Sequence, residues 1–487
     1  MSIFLDKQAF RRNKPHGQLA TAAMKKRIGI AFLAVTVLLI SLCSQSLVMT
    51  AHAESSNDDW PTFMHDSEHS GFSTSEAPLT NQTLWNFTTG GAVESSPVVS
   101  NGVVYVGSDD GYFYALNATT GALVWSYNTY GPVEEAATVL NGVVYVGGFH
   151  SHAVFAFNAS TGALIWNSTI DSVGPHINSA TVVSGGLVYI SVWIYSSLSG
   201  GELYALNAST GEQVWTYRPI AWLQPNPAIA SNLIYFMETW GTVDAIDTVS
   251  GNQSWSGGSN SPYGEGSVSI ADGVLYAGSA AQVVNAMDAK TGQAIWKANI
   301  FGGVSESCPA VANGVLYVSS TIGGTSNSSG DFLNDGGVTA LNLTTGNLLW
   351  NTTIGKISKS SPAVADGVVF VGSDGPNGFY ALNATTGDII WKYATGGQVL
   401  SSPAIANGVV YVGSNDGNVY AFGSPQSMES TQSPTPTQTL TPTLINSLTP
   451  SSLSPAPTVP ELTCCIVTIF FILVTAVIVG AFHRRKN

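Results

Sequence analysis

Eight positions, one in each of eight repeated units, gather most of the polar chemistry in this chain: Glu94, Glu134, Asn178, Gln224, Glu265, Glu306, Lys359 and Leu400. Six of the eight are acidic or amide side chains. Carboxylates and amides are hard oxygen donors. Glu94, Glu134, Glu265 and Glu306 are therefore candidate ligands for Ca²⁺, with Lys359 as an internal counter-charge. The competing reading is a hydrated channel mouth whose polar groups are simply wet, because no spacing along the chain fixes ligand distances. Paired acids can also move protons, but no nucleophile, second base or cofactor fingerprint accompanies them. Asp331, Asn334 and Asp335 could clasp Ca²⁺ as well, without the spacing of a known loop. His65, Asp66, Glu68 and His69 could be drawn as a metal site. Imidazoles ligate well only with supporting partners. Residues 60–72 read more simply as a strap laid over the fold, with Trp60, Phe63 and Phe72 packed and the polar residues wet.

The elements that position the eight residues come from a repeat. The ending G-x-x-x-W recurs at 121–125, 162–166, 211–215, 251–255, 292–296, 346–350 and 387–391, and Trp85 stands one period earlier without its Gly. Successive tryptophans are 40 to 54 residues apart, the period of a propeller or solenoid. Each unit holds four short apolar runs. The first two are joined by Asn-Gly (Asn101, Asn141, Asn313, Asn407) or Asp-Gly (Asp272, Asp366), the strongest short hairpin signal. Four antiparallel strands make one blade. The last unit, 399–422, lacks its Trp strand, and residues 84–87 are a Trp strand without a blade. Joining them seals the exposed strand edges. The reading is an all-β, eight-bladed β-propeller over residues 81–423.

Strand alternation puts the connections between blades and the second-to-third-strand loops on one face. The aligned ring sits there, at the start of the innermost strands around an axial channel. So do two insertions, 191–201 in blade 3 and 321–337 in blade 6. Loops carried on a rigid scaffold are where binding concentrates.

Of 16 Lys and Arg, six lie in the repeats and their approach, against 27 of the 30 Asp and Glu. The resulting charge of about −21 repels phosphate backbones and argues against nucleic acid as a partner. Cys308 is the one cysteine within the repeats, and a lone thiol in strand-forming sequence belongs to the core.

Residues 1–53 read as an N-terminal extension and secretory signal: Lys25-Lys26-Arg27, an apolar run over 28–42, then Ala51-His52-Ala53, with Met24 an alternative start and an uncleaved anchor the other reading. Residues 54–80 form the strap. Residues 424–461 are a Ser/Thr/Pro-rich stalk. Residues 462–483 are apolar over a bilayer-spanning length, and the basic tail 484–487 marks the cytoplasmic side. A processed sorting signal is the alternative for this tail. Sequons stand at Asn81, Asn86, Asn117, Asn158, Asn167, Asn207, Asn252, Asn327, Asn342, Asn351 and Asn383, as on a glycosylated exported surface.

The string A-L-N-A-T-T-G-x-x-x-W at 115–125 and 381–391, with variants at 205–215 and 340–350, resembles the docking motif of the quinoprotein-like propellers built of pyrroloquinoline-quinone (PQQ) repeats. That family includes PQQ dehydrogenases and the propeller lipoprotein of the bacterial outer-membrane barrel-assembly machinery. The resemblance implies that Trp85, Trp125, Trp166, Trp215, Trp255, Trp296, Trp350 and Trp391 pack between neighbouring blades. It also implies that a metal and quinone, where used, sit at the channel mouth. Quinone-using members carry adjacent cysteines beside the cofactor. The only adjacent pair here, Cys464-Cys465, opens the apolar tail segment. Since fold does not decide function, the expectation is a monomeric, membrane-anchored surface module that binds a protein or glycan partner. The alternative is a PQQ- and Ca²⁺-dependent oxidoreductase of alcohols or sugars.

Overall fold

A computed structural model describes residues 59–424, apart from 171–174, 195–199, 222, 224–225, 259–265, 305, 322–335, 358 and 376–377. The leader, stalk, apolar tail and insertion residues Asn327, Asp331, Asn334 and Asp335 lie outside them. Among the described residues no helix is long and apolar enough to cross a membrane.

Eight antiparallel sheets follow one another along the chain. Blade 1 shows the pattern, with strands Val98–Ser100, Val103–Gly107, Tyr112–Asn117 and Leu123–Asn128 running from the innermost outward. Its first turn works because Asn101 and Gly102 both take positive φ, 51° and 74°, a geometry open to Asn-Gly at little strain. Blades 3 and 4 make the same turn with Gly185-Gly186 and Ser231-Asn232. The third-to-fourth turn is held by an asparagine. The Asn117 carboxamide oxygen accepts from the amides of Thr119 and Thr120 at 3.0 and 2.9 Å. Asp247 and Asp288 do the same work in blades 4 and 5. The sequons at Asn117, Asn158, Asn207, Asn342 and Asn383 are thus what this turn demands, with or without a glycan.

Blade 8 takes its outermost strand, Thr83–Thr88, from the start of the propeller, paired antiparallel with Asn418–Gly423. Each outer tryptophan then ties its blade to the next. The Trp125 indole N–H donates to the Ala159 carbonyl at 2.8 Å, and Trp166, Trp215, Trp255, Trp296, Trp350 and Trp85 repeat the bond one blade on. Trp391 reaches the Pro78 carbonyl instead, at 3.0 Å. The indole face lies on the glycine of the following blade: a Cβ on Gly162 would stand 2.6 Å from Trp125 Cδ2. A single missing methyl thus serves both the turn, φ 69°, and the blade contact. Seven of the eight tryptophans thus bond a carbonyl of the following blade, and Trp391 bonds the segment leading into the propeller.

Blade 3 departs from the four-strand plan. Its second strand runs on to Ile194, and the linker segment Pro175–Ile177 pairs with that extension as a fifth strand. The strap also does more than lie over the propeller. The amides of the innermost strands donate to its carbonyls in turn: Val99 and Val139 to Trp60 and Pro61, then Ile229, Ile270, Val311 and Val364 to Ser67, Glu68, Ser70 and Gly71, at 2.6 to 2.8 Å. Innermost strands have no neighbour across the axis, so their amides need such partners. Phe72–Ser73 finish as a short parallel strand on blade 7. Trp60, Phe63 and Met64 are buried. His69 is 1% exposed, so the expectation of wet polar residues fails there. Its ring nitrogen bonds the Val268 carbonyl at 3.1 Å, and burial pushes its pKa down to about 4. The strap closes the axis, and what the sequence presents as a channel is a pocket blind at one end.

Candidate functional site

The blind pocket is a cavity of about 210 Å³ on the linker face, floored by Phe63 of the strap. Its wall contains Glu94, Glu134, Asn178, Glu306, Lys359 and Leu400, six of the eight aligned positions. Gln224 and Glu265 lie outside the described residues. The ring residues stand on the linkers just ahead of the innermost strands, not within them: Glu94 precedes Val98–Ser100 by four positions.

Below the ring, blade-to-blade hydrogen bonds hold the wall rigid. Ser402 N donates to Ser96 Oγ, Ser361 N to Ser402 Oγ and Cys308 N to Ser361 Oγ, at 2.8 to 2.9 Å. Asn226 N donates to Ser267 Oγ at 3.1 Å, and Asn226 accepts from Ala180 N at 2.6 Å. Cys308 occupies a place in this circle and is fully buried, as a core thiol should be; burial raises its pKa. The S-S-P runs of the sequence find their use here, since a serine hydroxyl can both donate and accept.

Electrostatics in the cavity centre on Lys359. Its ammonium lies 3.1 Å from Glu94 Oε2 and 3.6 Å from Glu306 Oε2. Burial works against its charge, but the carboxylates of Glu306, Glu135 and Glu94 outweigh that and raise its pKa. Glu134 and Glu135 are pushed up to about 7, by burial first, with Lys359 opposing and the other carboxylates adding. Asp109 rises to about 6, again through burial and then the neighbouring Glu94. The Asn415 amide donates to Glu94 Oε1 at 3.4 Å.

A Ca²⁺ ion needs about six to eight oxygens at roughly 2.3–2.6 Å, with charge enough to replace its water. Here an ammonium already holds two of the carboxylates, and two more keep protons near neutrality. Among the described residues no three His, Cys, Asp or Glu side chains form a group that could hold an ion. That takes in Glu94, Glu134 and Glu306 of the ring and the strap residues His65, Asp66, Glu68 and His69; Glu265 lies outside the described residues. The described residues do not fit Ca²⁺ while Lys359 is paired, and among them a polyanionic quinone meets four acids, Glu94, Glu134, Glu135 and Glu306, for one base.

Sequence reasoning missed Glu135, which lies beside Glu134 and turns into the same cavity. It also missed Phe149 and Trp193, the aromatic side of the wall. Phe149 sits in the blade 2 second-to-third loop and Trp193 on the blade 3 extension. The longer spacing of blade 3 signals an insertion, not its content. Around the cavity the same face exposes Tyr130, Ile220 and Phe301 on linkers and Trp240 on the blade 4 loop, at 84, 78, 57 and 65%.

The sequence model of the family described as outer membrane protein assembly factor BamB (PQQ_2) matches residues 75–167, 150–328 and 334–425. No curated protein matches the chain by sequence. Among solved structures, BamB from Moraxella catarrhalis is similar at 20% identity, with 70% of this chain and 99% of that one covered and a TM-score of 0.57. A europium-containing methanol dehydrogenase shares 15% identity over 76% of this chain and 99% of its own, TM-score 0.63. The quinohemoprotein alcohol dehydrogenase from Comamonas testosteroni shares 17% over 81% and 84%, TM-score 0.65. At such identities the likeness is one of fold.

Proposed function

The chain belongs to the PQQ-repeat propeller family described as outer membrane protein assembly factor BamB, and from that premise we propose that it is a non-catalytic binding and scaffold module of the cell envelope. Its linker face engages a protein or glycan partner. The observation that carries this reading is the exposure of Tyr130, Ile220, Trp240 and Phe301 on the one face that also opens the cavity. Large apolar side chains exposed on one face of a scaffold are candidate anchors for a partner that covers that face. Aromatic anchors of this kind contribute most of the affinity in protein interfaces. Of the ten described sequon asparagines six are exposed and four, Asn117, Asn207, Asn342 and Asn383, are partly buried, and none is buried, which suits a glycosylated exterior. Residues 1–53 direct export, the 424–461 stalk lifts the propeller from the surface, and 462–483 anchor it as a single membrane span. The propeller works as a monomer.

The test is photo-crosslinking in native envelopes, with a crosslinker at Trp240 or Phe301 and, as control, at Ile165 on the outer rim. Adducts from the face positions alone, digested by protease or by glycosidase, support the reading and identify the partner class. Equal adducts from Ile165 overturn it.

The alternative is a PQQ- and Ca²⁺-dependent alcohol or sugar oxidoreductase, favoured by the fold shared with the two dehydrogenases. Calorimetric titration of the full-length chain with PQQ, with and without Ca²⁺, decides between them. Calcium-dependent binding that disappears in Glu94→Gln with Glu134→Gln would establish the enzyme. Absence of heat would leave the binding module.

A further inference from the structure

We propose that the cavity on the linker face is a socket for one guanidinium group, the arginine side chain of a protein partner. Resting on the binding-module reading above, this makes the partner a protein and not a glycan. Two carboxyls and two aromatic rings meet on the blade 2–blade 3 side of the cavity: Glu134, Glu135, Phe149 and Trp193. Glu134 and Glu135 follow Pro132 on the linker into blade 2, and the Pro132 carbonyl accepts from Phe149 N at 2.9 Å. That bond ties the acids to the blade 2 second-to-third loop. Trp193 pairs with His176 of the added strand in blade 3. Phe149 and Trp193 flank His176, with ring centres 4.8 and 6.1 Å away.

Positive charge is short on this side. Lys359 pairs with Glu94 and Glu306, and Asp109 near Glu94 adds to the negative field. Among the described residues the Glu134 and Glu135 carboxyls make no hydrogen bond or ion pair, although Glu135 is set deep in the wall. A buried polar group without a partner is costly, and each such group calls for an explanation. Burial pushes both carboxyls up to about 7, and Lys359 offsets it only in part. No cationic imidazole competes at His176. Burial, and then His150 and His152 with ring centres 5.2 and 5.9 Å away, lower its pKa and keep it neutral.

The mixed wall selects among cations. A guanidinium is planar and weakly hydrated, spreads several N–H donors in a fork, and stacks on aromatic rings. An ammonium is a compact, strongly hydrated point charge. Adjacent carboxyls beside two aromatic rings match the first. At about 210 Å³ the cavity is smaller than the roughly 300–1,000 Å³ of pockets for drug-sized ligands, a size that suits one side chain. Tyr130, Ile220, Trp240 and Phe301 are exposed on the same face. An arginine entering the cavity would therefore be surrounded by apolar contacts that exclude water, the setting in which a single arginine anchors an interface.

The test is calorimetric titration of the full-length chain with N-acetyl-arginine amide, and in parallel with its neutral isostere N-acetyl-citrulline amide and with N-acetyl-lysine amide. The expected result is one equivalent of the arginine amide, with the other two bound about tenfold more weakly or worse. Glu134→Gln with Glu135→Gln weakens the arginine amide about tenfold, as does Trp193→Leu alone. Asp272→Asn with Asp366→Asn, the same charge change on the opposite face, leaves it unaltered. Photo-crosslinking from Trp240 in envelopes, repeated in the Glu134→Gln, Glu135→Gln variant, then gives about tenfold fewer adducts. Citrulline amide binding as tightly as arginine amide, or an equal loss in the Asp272, Asp366 control, overturns the socket. Arginine amide that binds while adducts are unaltered overturns the partner as the source of the guanidinium. Adducts from Trp240 without any binding of arginine amide overturn the socket and leave the binding module standing; absence of adducts from the whole face overturns both.

Discussion

Replacing Gly162 by alanine separates two costs that the docking motif combines. Gly162 has φ 69°, and Gly142, in the first turn of the same blade, has φ 76°. For an L-residue the left-handed region costs about 1–2 kcal/mol. Reduced freedom of the unfolded chain returns roughly 0.4–1 kcal/mol. Gly142→Ala should thus lose about 1 kcal/mol, because an added Cβ there meets nothing within 4 Å. At Gly162 the Cβ would lie 2.6 Å from Trp125 Cδ2 and 2.8 Å from Cε3. The indole cannot retreat easily, since Tyr105, Phe113 and Phe157 surround it with ring centres 5.9 Å away. Overpacking of this kind costs about 1–3 kcal/mol. A tilted ring also strains its bond to the Ala159 carbonyl, a further contribution of about 1 kcal/mol. Gly162→Ala should therefore lose about 2–4 kcal/mol more than Gly142→Ala. Urea unfolding followed by circular dichroism and tryptophan fluorescence measures both. Equal losses would refute the idea that the glycine is required by the neighbouring indole and would leave only its backbone conformation.

Three further outcomes follow from the cavity and the strap. Glu134 and Glu135, raised from 4.5 to about 7, hold protons that the unfolded chain has released. Stability should fall as pH rises between those values and level off above; Glu134→Gln with Glu135→Gln should flatten that slope in urea midpoints taken from pH 4 to 8. Lys359→Met removes the ammonium between Glu94 and Glu306, so millimolar Ca²⁺ should raise the melting temperature of the variant and leave the parent unchanged. An equal rise in both would show that the lysine does not guard the ring. Trp60→Ala, at a side chain 1% exposed, should cost about 3–5 kcal/mol by calorimetry, and a loss below about 1 kcal/mol would mean the strap is not part of the core.

Most of the fold is legible because it is local. Asn101-Gly102 and its counterparts mark hairpins by backbone preference alone, and the glycine four residues before seven of the eight docking tryptophans repeats often enough, with Trp85, to count blades. Gly185-Gly186 and Ser231-Asn232 make the same turn without the usual pair, and are recognisable only from their place in the repeat. The ring of acids is legible for the same reason, since identical blades bring identical positions to one circle. Features that depend on one blade alone are not. His176 reaches His150 and His152 only because a linker turns into a fifth strand. Burial of His69 depends on a strap path in which Met64, His65 and His69 take positive φ, and no spacing announces it. The neighbours Glu134 and Glu135 would face opposite ways in a regular strand; both line the cavity because the linker there is irregular.

Sharing one blade between the two ends of the propeller has a consequence for how the chain must be made. The strand Thr83–Thr88 emerges early and waits for Asn418–Gly423. The strap waits as well, for amides that appear in order from Val99 to Val364. Intermediate blades can form hairpin by hairpin as they arrive, but the final contacts all span the length of the domain. Such non-local pairing makes closure slow. Until it happens, the unpaired strand edges remain open to other chains. Until the eighth blade forms, the propeller is an arc, and only the pairing of Thr83–Thr88 with Asn418–Gly423 turns it into a ring.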